Sequence, residues 1–279
     1  MRGLLACGAF AAAALMSGAA AAAPSVQIKD AVARVTVVPE DRADIKVEFL
    51  TRNASLPLVV TRIGDKTVID GGLTHNRIHD CMAFDGKATV GVRGVGKVDW
   101  KDMPQVVVRT PRDVRVGAGG AVFGTVGRSE SLSFANAGCG DWTIANARGR
   151  MELSEAGSGD IKAGSASSAK VSVAGSGDVT LGRLAGDLNA NIAGSGDIHA
   201  ASIAGDLNAR VAGSGDVHVD GGQARLMSVS VAGSGDVAFG GVAQQLDARV
   251  MGSGDVRAAQ VTGAVNKTIM GSGEVRTGD

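Results

Sequence analysis

A four-residue unit, Gly-Ser-Gly-Asp, recurs at a nearly constant interval through the second half of this chain. With one final copy that ends in glutamate, it begins at Gly157, Gly175, Gly194, Gly213, Gly233, Gly252 and Gly271, in steps of 18 to 20 residues. A related unit with cysteine in place of serine begins at Gly138. A repeat of about 20 residues is typical of a solenoid, in which each unit packs on the next, and not of a compact globule.

The residues that flank each unit alternate between apolar and polar. The position four residues after the first glycine is apolar in the successive copies Ile161, Val179, Ile198, Val217, Val237, Val256 and Val275. Before the glycine, polar residues such as Asn189 and Asn191 alternate with apolar ones. A period of two predicts strands with one buried face on both sides of the turn. We therefore predict an all-β fold, a right-handed parallel β-helix of about 19 residues per coil.

The first glycine of each unit is predicted to have a structural role. A turn that repeats along one edge of a solenoid needs positive φ angles or close approach of neighbouring coils, and glycine permits both because it has no Cβ. The seven glycines that begin the units are accordingly predicted to form structural turns.

Stacking of the units would align their acidic residues in a ladder. After Asp141, the ladder contains Asp160, Asp178, Asp197, Asp216, Asp236, Asp255 and Glu274. Carboxylates about 5 Å apart repel one another, so turn amides, serine hydroxyls, protons or bound cations must offset the repulsion. Capping by amides is the favoured interpretation. Calcium is the alternative, since it prefers carboxylate oxygens, although calcium-binding nonapeptides repeat every nine residues.

Composition argues against a nucleic-acid partner. The 279 residues include 42 glycines, two tryptophans, six phenylalanines and no tyrosine, so the rings used in base-stacking platforms are scarce. The 28 basic and 28 acidic residues balance. We therefore expect no nucleic-acid partner.

The first 23 residues have the pattern of a cleaved signal peptide. Arg2 precedes an apolar stretch, and three alanines stand before Pro24. We expect an exported protein of the periplasm or cell surface, with no transmembrane segment in the mature chain. Cleavage would leave Cys81 and Cys139 in an oxidising compartment, either bridged or separately buried.

Two groups of residues are candidate metal ligands. His199 and His218 occupy the same position of successive units, so they should lie next to each other on the outside of the solenoid. Two ligands alone bind a metal weakly, so solvated histidines are the favoured interpretation. His75, His79 and Cys81 stand in a segment, 71–87, that we predict to be a loop, and their uneven spacing is a weak metal pattern.

The repeated pattern A-G-S-G-D-[VI] resembles the auto-transporter adhesin head domain family, called the GIN domain. The segments that carry this resemblance are Ala174–Val179, Ala193–Ile198, Ala212–Val217 and Ala232–Val237. The resemblance implies a right-handed β-helix, an exported location and a non-enzymatic role, and it supplies no catalytic residue to carry over.

Three segments and one favoured function follow. We predict a signal peptide at 1–23, an irregular β region at 24–116 that caps the solenoid, and the repeats at 117–279. The favoured function is an exported, non-enzymatic scaffold or adhesin-like binding protein of the bacterial envelope, with an unknown partner and no cofactor. The alternatives are a calcium- or glycan-binding module and a polysaccharide-active enzyme.

Overall fold

The computed structural model describes residues 23–74, 76–84 and 87–278, which form strands, turns and a single 3-10 turn at Trp100–Asp102. In chain order the strands are β1 Ser25–Pro39, β2 Lys46–Thr51, β3 Val59–Ile63, β4 Lys66–Asp70, β5 Ile78–Phe84, β6 Lys87–Val92, β7 Gly96–Asp99, β8 Gln105–Thr110, β9 Asp113–Val126, β10 Ser131–Gly138, β11 Trp142–Ile144, β12 Arg150–Glu155, β13 Ile161–Ala163, β14 Ser168–Val173, β15 Val179–Arg183, β16 Leu188–Gly194, β17 Ile198–Ser202, β18 Leu207–Gly213, β19 Val217–Val219, β20 Gln223–Gly233, β21 Val237–Gly252, β22 Val256–Val261, β23 Val265–Gly271 and β24 Val275–Thr277. Within these described ranges, no helix has the length and apolar character needed to cross a bilayer.

The repeated units form stacked coils. The strand that precedes each glycine turn pairs in parallel with the equivalent strand of the next coil, as β16 does with β18 and β18 with β20. The strand that follows the turn does the same on a second wall, as β17 does with β19. Each coil therefore satisfies its backbone hydrogen bonds from the coils on either side. The predicted all-β parallel solenoid is confirmed.

The alternating apolar residues fill the interior of the stack. Val179, Ile198, Val217 and Val237 are aligned in successive coils, and each is at most 1% exposed. They belong to one core cluster that extends from Val26 to Val275. Burial of a side chain of this size contributes about 1.5–3 kcal/mol, and no coil could bury its inner face without a neighbour.

The glycine turns bring neighbouring coils into direct backbone contact. Gly213 has a φ of +142°, and a Cβ at this position would overlap the carbonyl oxygen of Gly194 in the preceding coil. That oxygen accepts hydrogen bonds from the amides of Ser214 and Gly215, at 2.9 and 3.3 Å. Glycine is needed here both for its backbone angle and for the close approach.

The N-terminal strands extend the stack instead of lying apart from it. Strand β1 lies between two neighbours, with β4 and β8 paired in parallel on one side and β9 on the other. Parallel pairing thus continues across residue 117, where the sequence predicts a boundary between cap and solenoid. Beyond β4 and β8, strands β3 and β2 add in antiparallel orientation.

A three-stranded antiparallel sheet, β5–β6–β7, packs on the outside of the solenoid. Val90 and Val98 of this sheet join Phe123 of β9 in a second apolar cluster. The prediction of a loop over 71–87 is wrong in part, because β5 lies within that segment. The apolar pattern of β5 is too short to identify a strand from the sequence. Its pairing with β6 decides its conformation.

Candidate functional site

The acidic residues of the turns form the predicted ladder, and each one up to Asp255 caps the next coil. Oδ1 of Asp197 accepts a 2.8 Å hydrogen bond from the backbone amide of Asp216, and Oδ1 of Asp216 accepts one of 2.7 Å from Asp236. The pattern runs without a break from Asp141 to the amide of Glu274. One carboxylate oxygen per coil therefore has a structural partner. Binding of calcium by this ladder stays the untested alternative to capping by amides.

Burial affects the pKa of Asp141, the first acid of the ladder. Desolvation raises the pKa of Asp141 above its ordinary value, and the hydrogen bond from the amide of Asp160 opposes that rise. Asp141 is the last residue of the unit that begins at Gly138, where the N-terminal coils join the regular repeats.

A polar pair occupies a core position that is apolar in the later coils. Asn136 and Glu155 align with each other and then with Val173, and each is 1% exposed. Nδ2 of Asn136 donates to Oε2 of Glu155 at 2.8 Å and to the carbonyl oxygen of Gly140 at 2.9 Å. Desolvation raises the pKa of Glu155 to about 8. The alternation in the sequence contained the signal for this pair, since both residues stand two before a unit's first glycine.

Two histidines and an aspartate converge on the outside of the second wall. His199 of β17 is in register with His218 of β19, and their rings stack with centroids 5.5 Å apart. Asp220 follows β19. Its Oδ1 lies 2.7 Å from Nε2 of His199 and 3.2 Å from Nε2 of His218. Within the described ranges, this is the one group of three or more metal-ligating side chains that converges closely enough to hold an ion.

Sequence reasoning placed the two histidines but missed Asp220. The aspartate stands two residues after His218, so both side chains leave the same face of the chain. At the equivalent position the neighbouring coils have Ala201 and Gly240, and this contrast was the available signal. The hydrogen bond with His199, with the charge of the histidines adding to it, lowers the pKa of Asp220 below its ordinary value.

Of the second group of candidate ligands, the structure describes His79 and Cys81, and these two do not converge with a third ligand. A disulfide joins Cys81 of β5 to Cys139, with the two Cα atoms 6.1 Å apart, so the sulfur of Cys81 is already bonded. Nε2 of His79 lies 3.4 Å from the carboxylate of Asp80. His75 lies outside the described residues.

The disulfide links the three-stranded sheet β5–β6–β7, called the side sheet below, to the solenoid. Cys139 occupies the serine position of the first glycine unit, and both cysteines pack against the second apolar cluster. The bridge therefore connects two parts of the chain that are 58 residues apart in sequence.

Two solved structures resemble the chain over most of its length. A "Putative lipid binding protein" from Parabacteroides distasonis is 18% identical, with a TM-score of 0.49, and the alignment covers 91% of this chain and 92% of that one. A "putative cell adhesion protein" from Clostridium sporogenes is 8% identical, with a TM-score of 0.22 and the same coverage. No curated protein matches the chain.

One family model matches the coils themselves. It is described as "Putative auto-transporter adhesin, head GIN domain", and it matches residues 93–222 and 185–278. The two overlapping matches cover more than half of the 279 residues and include every Gly-Ser-Gly-Asp unit. The chain therefore belongs to the auto-transporter adhesin head GIN domain family.

Proposed function

We propose that this protein is an exported, non-enzymatic scaffold of the bacterial envelope that binds a surface partner through the flat polar wall of its solenoid. Membership of an adhesin-like family supports a binding role. The observation that carries the proposal is the composition and regularity of the wall built by the strands that precede the glycine turns.

Two columns of polar side chains run along this wall. The first contains Lys170, Asn189, Asn208, Ser228, Asp247 and Asn266, and the second contains Ser172, Asn191, Arg210, Ser230, Arg249 and Thr268. Each column follows the parallel register, so equivalent side chains are about 4.8 Å apart. The wall offers amide, hydroxyl and charged groups in a repeated array.

The composition of the wall favours a large partner over a small molecule. Sites for small molecules are usually concave and mostly apolar, whereas this surface is a sheet wall lined by columns of polar side chains. A partner with its own extended polar surface, such as an envelope polymer or another protein, could form hydrogen bonds with several coils at once. Many weak contacts along one wall would then add up to useful affinity.

Export is supported by two features. Residues 1–23 have the pattern of a signal peptide, although residues 1–22 lie outside the described residues. The disulfide between Cys81 and Cys139 suits an oxidising compartment. Residues 1–23 fused to a phosphatase that is active only after export should yield active enzyme. Retention of inactive fusion protein in the cytoplasm would contradict the proposed location.

The binding role can be tested with coated beads. Beads carrying residues 24–279 should attach to whole cells of the source bacterium or to its purified envelope polysaccharide. The double variant Asn208→Ala with Arg210→Ala changes both polar columns in one coil and should reduce attachment. Arg257→Ala, on the other wall, is the matched control and should leave attachment unchanged. Equal attachment by all three proteins would overturn the assignment of this wall.

A further inference from the structure

We infer that His199, His218 and Asp220 form a binding site for a first-row transition-metal dication, of which Zn²⁺ is the best-suited example. The site lies on the second wall, away from the polar columns described above. The inference therefore does not depend on the proposed function.

The fold places all three donor atoms on one side of the solenoid. Parallel pairing of β17 with β19 sets the two imidazoles side by side, with an angle of 23° between their planes. One ring nitrogen of each histidine and a carboxylate oxygen of Asp220 all lie within 4.8 Å of one another. A single aspartate oxygen is already 2.7 and 3.2 Å from the two nitrogens.

These distances are close to the separations between the ligand atoms of a bound metal ion. Zinc lies about 2.0–2.2 Å from histidine nitrogen and carboxylate oxygen, so tetrahedral ligands are about 3.3 Å from each other. The present separation of His218 from Asp220 already fits. His199 and Asp220 must move apart by roughly half an ångström, as a metal ion replaces the shared proton between them. Both side chains are about half exposed and can make that adjustment.

The donor set selects the type of ion. Imidazole suits zinc, copper and nickel, whereas calcium and magnesium prefer sites made of oxygen atoms. Two histidines and one carboxylate are also the three protein ligands of known zinc sites that keep a fourth position open. An ion here would complete its coordination with water or with a donor from another molecule.

The adjacent coils place uncharged residues next to the three ligands. In the neighbouring coils, Thr180 is in register with His199 and Ala238 with His218. The positions equivalent to Asp220 are Ala201 and Gly240. None of these four residues has a charged side chain to compete for the aspartate or to repel a cation.

The neighbouring coils also supply variants that fit the fold. His199→Thr, His218→Ala and Asp220→Ala each install the residue that an adjacent coil has at the same position, namely Thr180, Ala238 and Ala201. All three replaced side chains are on the exposed face, so the core is unchanged. His79→Ala, which removes a histidine far from the site in sequence, is the matched control.

The experiment titrates chelator-treated, oxidised residues 24–279 with Zn²⁺ by calorimetry and with Co²⁺ by visible absorption. We expect saturable binding of one ion per chain, and a Co²⁺ spectrum of mixed nitrogen and oxygen ligands. Each of the three site variants should weaken binding by at least about tenfold, while His79→Ala should bind like the unmodified protein. Ca²⁺ should not compete.

Several results would overturn the inference. They are absence of saturable Zn²⁺ binding, unchanged binding in the three site variants, and loss of binding in His79→Ala. Circular dichroism and melting temperature report whether each variant folds. Should His199→Thr fail to fold, His218→Ala and Asp220→Ala still measure the loss of one ligand each.

Discussion

Asn136 donates a 2.8 Å hydrogen bond from Nδ2 to Oε2 of Glu155 within the solenoid core. The other carboxylate oxygen, Oε1, has no hydrogen-bond partner among the described residues. A buried carboxylate with one partner is costly when ionised, so the pair favours the neutral acid. The raised pKa of Glu155, about 8, has this cause.

The first prediction concerns stability and pH. The folded pKa of Glu155 is about 8, above the ordinary 4.5, so the folded state keeps a proton that the unfolded chain releases between these values. Stability of the protein should therefore fall as pH rises from about 5 to 8, by up to about 1.4 kcal/mol per pH unit from this group. Glu155→Gln cannot ionise and should be more stable than the unmodified protein at pH 8, by about 1–3 kcal/mol.

Thermal unfolding at pH 5, 6, 7 and 8 measures this effect. Glu152→Gln is the control, because Glu152 lies on the same strand but is half-exposed and paired with Lys170 at 2.8 Å. Loss of the Glu152–Lys170 ion pair should lower the free energy of unfolding by about 0–1 kcal/mol. Parallel pH profiles for Glu155→Gln and the unmodified protein would show that Glu155 is ionised in the core.

The second prediction concerns the glycine turn. Gly213→Ala should destabilise the solenoid by about 2–4 kcal/mol, because the new Cβ meets the carbonyl oxygen of Gly194 and the φ of +142° disfavours alanine. Ser214→Ala, at the adjacent exposed position, should change stability by less than about 0.5 kcal/mol. Urea unfolding compares the two variants. Equal midpoints would mean that the coils can separate enough to accept a side chain.

The third prediction separates capping from charge in the acidic ladder. Asp197→Ala removes the acceptor for the amide of Asp216 and should cost about 0.5–1.5 kcal/mol. Asp197→Asn keeps a side-chain oxygen as acceptor and removes one negative charge from the ladder. Its melting temperature should therefore equal or exceed that of the unmodified protein. An asparagine variant as unstable as the alanine variant would indicate that the charge itself is required.

The fourth prediction concerns the disulfide. Reduction of the Cys81–Cys139 bond, which spans 58 residues, should destabilise the protein by about 2–4 kcal/mol. The melting temperature should fall when a reductant is added. The double variant Cys81→Ser with Cys139→Ser should melt at the lower temperature with or without reductant. If reductant leaves the melting temperature of the unmodified protein unchanged, the bridge does not stabilise it.

The repeats were predictable because their structure is local and periodic. The alternation around Val179 and Ile198 identifies strands, and the spacing between units identifies their partners in the next coil. The register of His199 with His218 follows from the same arithmetic. The ladder from Asp141 to Glu274 follows as well, although the sequence left open what offsets its charge, and the structure supplies backbone amides.

Other features depart from the apolar pattern of the repeats, or lie outside the repeats, and escaped prediction. Asn136 and Glu155 were missed because the alternation was read only where its members are apolar. Asp220 was missed because it is single, and a search for repeated residues passes over a residue present in one coil. The strand Ile78–Phe84 was missed because its partner, β6, belongs to a separate hairpin sheet with no repeat to support the assignment.

The sequence by itself determined the coil, its inward face and its glycine turns. Each of these depends on residues within one period and on an equivalent neighbouring coil. Only the tertiary structure decided that β1 lies between β8 and β9, that the side sheet is bonded to Cys139, and that Asp220 completes a cluster with two histidines. The first two arrangements join parts of the chain that share no period, and the third depends on Asp220, which only one coil has. The contacts that stabilise these arrangements form only once the coils are stacked.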